Sequence, residues 1–174
     1  MEIHMNNYKE IKPSDFERSP FKLIGDEWML ITAPDEAKES GANAMTASWG
    51  GLGVLWNTPV ATVYVRPQRH TYSLMENCER LSLCFFDAKH KKALGFCGKA
   101  SGKDTDKLKE CGFTCHKIDG VSVINEADTV MICKKLYADD LKEERFIDKE
   151  HLSHYNGDFH RFYILEIEKI LVKQ

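Results

Sequence analysis

Residues 43–72 read NAMTASWGGLGVLWNTPVATVYVRPQRHTY, and the order of residue types in this stretch decides the fold. Asn43–Trp49 is a strand of small and polar residues, which lets its backbone lie close to a ligand. Thr46 and Ser48 are two apart and so share one strand face. With Ala47 between them and Trp49 beside them, they could border a polar ligand with a flat ring. An exposed strand face with an aromatic edge is the plain alternative. Gly50, Gly51 and Gly53 then predict a bulge or tight bend. Asn57-Thr58-Pro59 is a turn signal. Val60–Val65 is a β-branched run and reads as a buried strand. It stops at Arg66-Pro67, because proline has no N–H for the ladder. Thr71 is the expected cap of a short helix running to Cys78.

Working outward, Glu27–Ala33 reads as a first strand closed by Pro34, and Leu81–Phe86 as another buried strand. Asp87 is expected to cap a helix from Ala88 to about Phe96, ending near Gly98. Asp104 or Thr105 should start a short helix to Cys111, stopped by Gly112. Val121–Ile124, Ala127–Tyr137 and Phe159–Val172 return to strand, although FYILEIEKILVK also fits a helical period in part. The segment holding Pro13 and Pro20 is expected to run over the surface. Six or seven strands with two or three short helices between them predict a mainly β chain, a barrel with inserted helices. That arrangement argues against alternating βαβ units and a Rossmann domain. No repeat or linker breaks residues 1–174, so one domain is expected.

The chain's 43% hydrophobic and 29% charged residues are those of an ordinary globular protein. A net charge of -3 provides no global attraction for nucleic acid, so any anion site must be local. No apolar run approaches the roughly 18–20 residues of a membrane span. The opening MEIHMNNYKEIKPSDFE lacks a signal-peptide core, and a cytoplasmic location is expected. The six cysteines are accordingly read as reduced thiols. Cys111 and Cys115 have three residues between them and stand beside His116, with Cys97 upstream. A zinc site could use such ligands, but no second pair follows at regular spacing and none is expected.

Three further groups could carry chemistry. Arg66 and Arg69 flank a rigid Pro67 at the end of a buried strand, and guanidinium groups bind phosphate bidentately. Thr71 would add a hydroxyl at a helix start. Two solvated loop arginines are the bland alternative. In CGKASGKDTDK, residues 97–107, a loop with Ser101 feeds a helix start near Asp104 and Lys107, a second candidate phosphate cradle. It lacks the GK[ST] of a P-loop. In NGDFHR, residues 156–161, His160 opens a long strand after a turn. No nucleophile motif, metalloprotease motif or dinucleotide fingerprint is present. An anion site and a ring slot without acid–base machinery suit a redox cofactor, which supplies the chemistry itself.

At these residues the chain resembles the flavin reductase-like, FMN-binding split-barrel family, in particular its flavoredoxin-type branch. The resembling motifs are residues 43–72, CGKASGKDTDKLKECGFT at 97–114 and GDFHRFYILEIEKI at 157–170. The resemblance implies a homodimer with FMN near the subunit interface. It implies that Thr46, Ala47, Ser48 and Trp49 border the isoalloxazine and ribityl chain. It places Arg66, Arg69 and Thr71, with Ser101, Asp104 and Lys107, around the phosphate. His160 matches the family's Gly-Asp-x-His element, where the histidine lies by the flavin and helps seat a nicotinamide. The implied activity is hydride transfer from NADH or NADPH to FMN. Two alternatives stay open: an FMN electron carrier reduced by a partner protein, and a non-enzymatic binding protein on the same barrel. Lys134–Tyr155 reads as a charged insertion that could cover the flavin face, and Asp139–Glu150 within it as a possible docking surface.

Overall fold

The computed structural model describes residues 7–174. The polar opening segment on which the cytoplasmic expectation rests lies partly at residues 1–6, outside the described residues. Ten strands are present among the described residues: β1 Tyr8–Ile11, β2 Met29–Pro34, β3 Ala42–Ala47, β4 Gly50–Leu55, β5 Thr58–Val65, β6 Arg80–Phe85, β7 Cys115–Ile118, β8 Val121–Ile124, β9 Thr129–Asp140 and β10 Arg161–Lys173. Three α-helices interrupt them: α1 His70–Glu76, α2 Lys91–Lys99 and α3 Lys107–Glu110. The fold is mainly β, a split barrel with short inserted helices.

The main sheet is antiparallel, ordered β3-β2-β6-β9-β10-β5-β4. β10 is its spine. One edge pairs with β9 along most of its length. The other edge is shared, with β5 against Arg161–Glu166 and β1 against Ile170–Lys173. Period-two burial of Tyr163, Leu165 and Ile167 settles the ambiguous FYILEIEKILVK segment as strand.

The apolar runs follow from burial on both faces. Met29, Ile31 and Ala33 of β2, Leu81, Leu83 and Phe85 of β6, and Met131 and Cys133 of β9 fill the barrel interior. The alternate residues Leu30, Cys84, Val130 and Ile132 face a second core with Leu94, Leu108 and Phe113. Helices α2 and α3 and the β7–β8 hairpin cover that outer face, so neither face needs polar residues.

Several local expectations are corrected. Glu27 is helical: a wide π-type helix spans Phe21–Glu27, Trp28 takes a left-handed φ of 72°, and β2 starts only at Met29. That helix buries Leu23 and Ile24, so this part of the opening segment is core rather than surface cover. Gly50, Gly51 and Gly53 form strand β4, not a bulge, pairing with Val63, Thr62 and Val60. The turn sits at Trp56-Asn57, whose φ values of 51° and 57° are those of a two-residue hairpin turn, and Thr58 and Pro59 already belong to β5. Thr71 lies inside α1, whose cap position is Arg69. Asp87 makes no capping bond; a 3-10 turn, Ala88–His90, precedes α2, which runs past Gly98 to Lys99. Asp106, not Asp104 or Thr105, caps α3 by accepting from the Lys109 N–H. The charged insertion is strand through Asp140, followed by 3-10 turns at Glu143–Arg145 and Lys149–His154.

Candidate functional site

Three chain segments converge on one pocket of about 190 Å³. The end of β3 and the link to β4 supply Met45, Thr46, Ala47, Ser48 and Trp49. The end of β5 and the link to α1 supply Tyr64, Arg66 and Arg69, and the start of β10 supplies His160. Seven residues singled out in the sequence therefore meet here. Thr71, Ser101, Asp104 and Lys107 do not line the pocket.

The walls are aromatic. His160 lies 5.2 Å from Trp49 and 6.3 Å from Tyr64, ring centre to ring centre. Trp49 also meets His154 at 5.6 Å and is 45% exposed, so one side of the slot is open. His160 is buried, and its Nδ1 stands 2.9 Å from the Tyr155 hydroxyl. Burial, with the Arg66 charge adding to it, lowers its pKa to about 4. The imidazole is thus neutral at physiological pH. A Tyr155 phenol that donates to Nδ1 leaves Nε2–H as a donor for the pocket, and one that accepts from Nδ1–H leaves Nε2 as an acceptor.

The two arginines hold protein groups as well as facing the slot. Arg66 pairs with Asp158 and donates to the His154 carbonyl at 2.9 Å. Its guanidinium lies 5.1 Å from the Tyr155 ring centre. The Asn156 N–H, Arg66 and Gln68 together hold the Asp158 carboxyl well below the usual range. Arg66 therefore fastens residues 154–158 beside the slot. Arg69 donates to the Gly98 carbonyl at 2.7 Å and reaches the Cys97 carbonyl at 3.4 Å. Lys107, almost wholly buried, donates to the same Cys97 carbonyl at 3.1 Å. Two cations thus cover the C-terminal carbonyls of α2, where the helix dipole is negative. Burial pulls the Lys107 ammonium down to about 8, with the Cys97 side opposing it.

These contacts revise the second phosphate cradle. The Thr71 hydroxyl is buried and accepts from the Asn43 amide at 2.9 Å. Ser101 accepts from the Lys103 N–H, Asp104 is exposed, and Lys107 is turned inward. Gly102 packs so closely that a Cβ there would stand 2.7 Å from the His70 ring. Thr46 is likewise committed in part, donating through Oγ1 to the Leu94 carbonyl of α2. Met45, Tyr64 and Tyr155 were missed. Tyr64 had a signal, since it stands two residues before Arg66 on a strand and so shares its face. Tyr155 had none. Among the described residues, no group of three or more His, Cys, Asp or Glu is placed to hold a metal ion.

The flavin reductase like domain model matches residues 22–174. The chain belongs to the flavin reductase like domain family. Comparison with curated proteins found no match. Among solved structures, the flavoredoxin from Methanosarcina acetivorans is similar at 21% identity and a TM-score of 0.65, over 85% of this chain and 69% of that one. The flavoredoxin of Desulfovibrio vulgaris (Miyazaki F) is 17% identical with a TM-score of 0.67, covering 94% and 78%. Nitrilotriacetate monooxygenase component B from Bacillus cereus is 15% identical with a TM-score of 0.65, covering 94% and 81%. For a flavin reductase like domain, the fit of the slot to FMN rests on its donor set. Flat aromatic walls, a neutral imidazole and two fixed arginines, one of them paired with Asp158, suit a planar ring carrying an anionic tail.

Proposed function

We propose that this chain binds FMN in the slot and is an oxidoreductase that takes hydride from NADH or NADPH. The observation that carries the reading is the convergence of Thr46–Trp49, Arg66, Arg69 and His160 on one pocket in a chain of this family. Trp49 and Tyr64 offer ring faces and edges for stacking. Arg69 is already oriented by the α2 carbonyls, so it presents positive charge toward an anion with little loss of side-chain freedom. His160, neutral and backed by Tyr155, offers a ring nitrogen without a competing charge. Bound FMN would supply the two-electron chemistry; the residues named here hold and orient it.

The pocket in one chain is smaller than the roughly 300–1,000 Å³ of sites that enclose a cofactor-sized ligand. A second copy that closes the open side beside Trp49 makes a homodimer part of this reading. Anaerobic addition of NADH or NADPH to the FMN-loaded chain tests it. The visible flavin band bleaches with at least one of the two; persistence of the band with both would contradict it.

One observation favours a second reading, an FMN electron carrier reduced by a partner protein. The segment after β9 is anchored beside the slot through Arg66, and His154 leans on Trp49. That contact narrows the approach of a nicotinamide ring. Reduction by a ferredoxin-like donor with no reduction by either nicotinamide would select this reading.

A further inference from the structure

The end of α2 and the end of α3 bring two thiols together outside the slot. The Sγ atoms of Cys97 and Cys111 are 3.8 Å apart. Cys97 is sealed from solvent, whereas Cys111 is half-buried and lines a surface pocket of about 430 Å³ with Lys89, His90, Lys92 and Phe96. We propose that Cys97 and Cys111 are a redox-active pair that closes into a disulfide when a hydroperoxide enters this surface pocket.

A disulfide is about 2.05 Å long, so the sulfurs need to approach by only about 1.8 Å. The two ends of the pair are chemically unequal. Burial raises both thiols, that of Cys97 to about 12. At Cys111 the Cys97 S–H and the Lys107 ammonium oppose this rise while Glu110 adds to it, and the rise stays smaller than that of Cys97. Cys111 is also the one that meets solvent. Lys89, Lys92 and Glu110 stand at the pocket rim, with Lys89 paired to Asp87 at 2.8 Å. Cys84 and Cys133 are wholly buried, and Cys78 donates to the Met75 carbonyl rather than to a second sulfur.

The chemistry balances in two steps. The Cys111 thiolate attacks one peroxide oxygen, the O–O bond breaks, and the departing oxygen takes a proton and leaves as water or alcohol. Cys111 is then a sulfenic acid. The Cys97 thiol attacks that sulfur, the S–O bond breaks, and a second oxygen leaves as water with the Cys97 proton. Two thiols have lost two electrons and two protons to the peroxide. This inference does not depend on flavin binding.

The test uses the full chain, reduced, freed of reductant and given one equivalent of hydrogen peroxide. Thiols are then alkylated in denaturant. Trypsin leaves Cys97 in peptide 93–99, and Cys111 with Cys115 in peptide 110–117. The expected product has two of its six cysteines protected and those two peptides joined. The link persists in Cys115→Ser and is lost in Cys111→Ser. In Cys97→Ser the reaction stops at a Cys111 sulfenic acid, captured by dimedone. Alkylation of all six cysteines in the treated wild-type chain would overturn the proposal. So would a link that survives Cys111→Ser, or one that joins two chains.

Discussion

His160 stays uncharged because burial, reinforced by Arg66, lowers its pKa to about 4 against an ordinary 6.5. Between those two values the unfolded chain binds a proton that the folded chain refuses. This group's contribution is therefore intact above pH 6.5 and is lost as the pH falls toward 4. In urea unfolding across that window, wild type should lose stability more steeply than His160→Gln. Parallel pH dependence would contradict the assignment. Arg69 works on two structures at once, the slot and the end of α2. Arg69→Ala should lower stability by about 1.5–3 kcal/mol, the value of hydrogen bonds from a charged group, and weaken FMN binding as well. Paired melting and FMN titration read both; a drop in affinity with unchanged stability would mean the α2 contacts matter little. In the sequence both arginines stand out as a candidate anion site. That Arg66 also holds Asp158, and Arg69 the carbonyls of Cys97 and Gly98, was not legible, because a side chain's acceptor belongs to the tertiary fold.

Among the elements, the loop between α2 and α3 shows how packing overrides local signals. Gly102 lies against Asn43 and His70, and His70 pairs with Asp35 at 2.9 Å. Gly102→Ala should therefore cost about 1–3 kcal/mol by overpacking, visible as a lower melting temperature. An unchanged melting temperature would show that the loop moves aside freely. In the sequence this glycine is only part of a candidate phosphate loop, whereas its contacts show a need for space. Strands buried on both faces, such as β2, β6 and β9, were legible because their apolar runs are continuous. β1, β4 and β7 were not: two are only four residues long, and the third is a glycine-rich edge. Cap positions slipped by one or two residues wherever several candidates stood together, as in Asp104-Thr105-Asp106.

For the whole molecule, the ends of the main sheet matter most. β4 is an edge strand, and Val54, Leu55 and Trp56 at its tip are 75%, 37% and 60% exposed. Exposed apolar edges invite pairing unless something covers them. A second copy paired along this edge would cover it. Val54→Asp, at a position with little packing to lose, should shift the mass seen by light scattering from dimer toward monomer while leaving the fold intact. A wild-type chain that is monomeric at high concentration would remove the dimer from the account.

The central claim is that the pocket between β3, β5 and β10 receives FMN. The most direct measurement is titration of FMN into the flavin-free chain, followed by flavin fluorescence, with Trp49→Ala alongside. A saturable change at one FMN per chain is expected, with weaker binding in the variant. No saturable change with the folded wild-type chain, or equal binding by Trp49→Ala and wild type, would contradict the placement of FMN in this pocket.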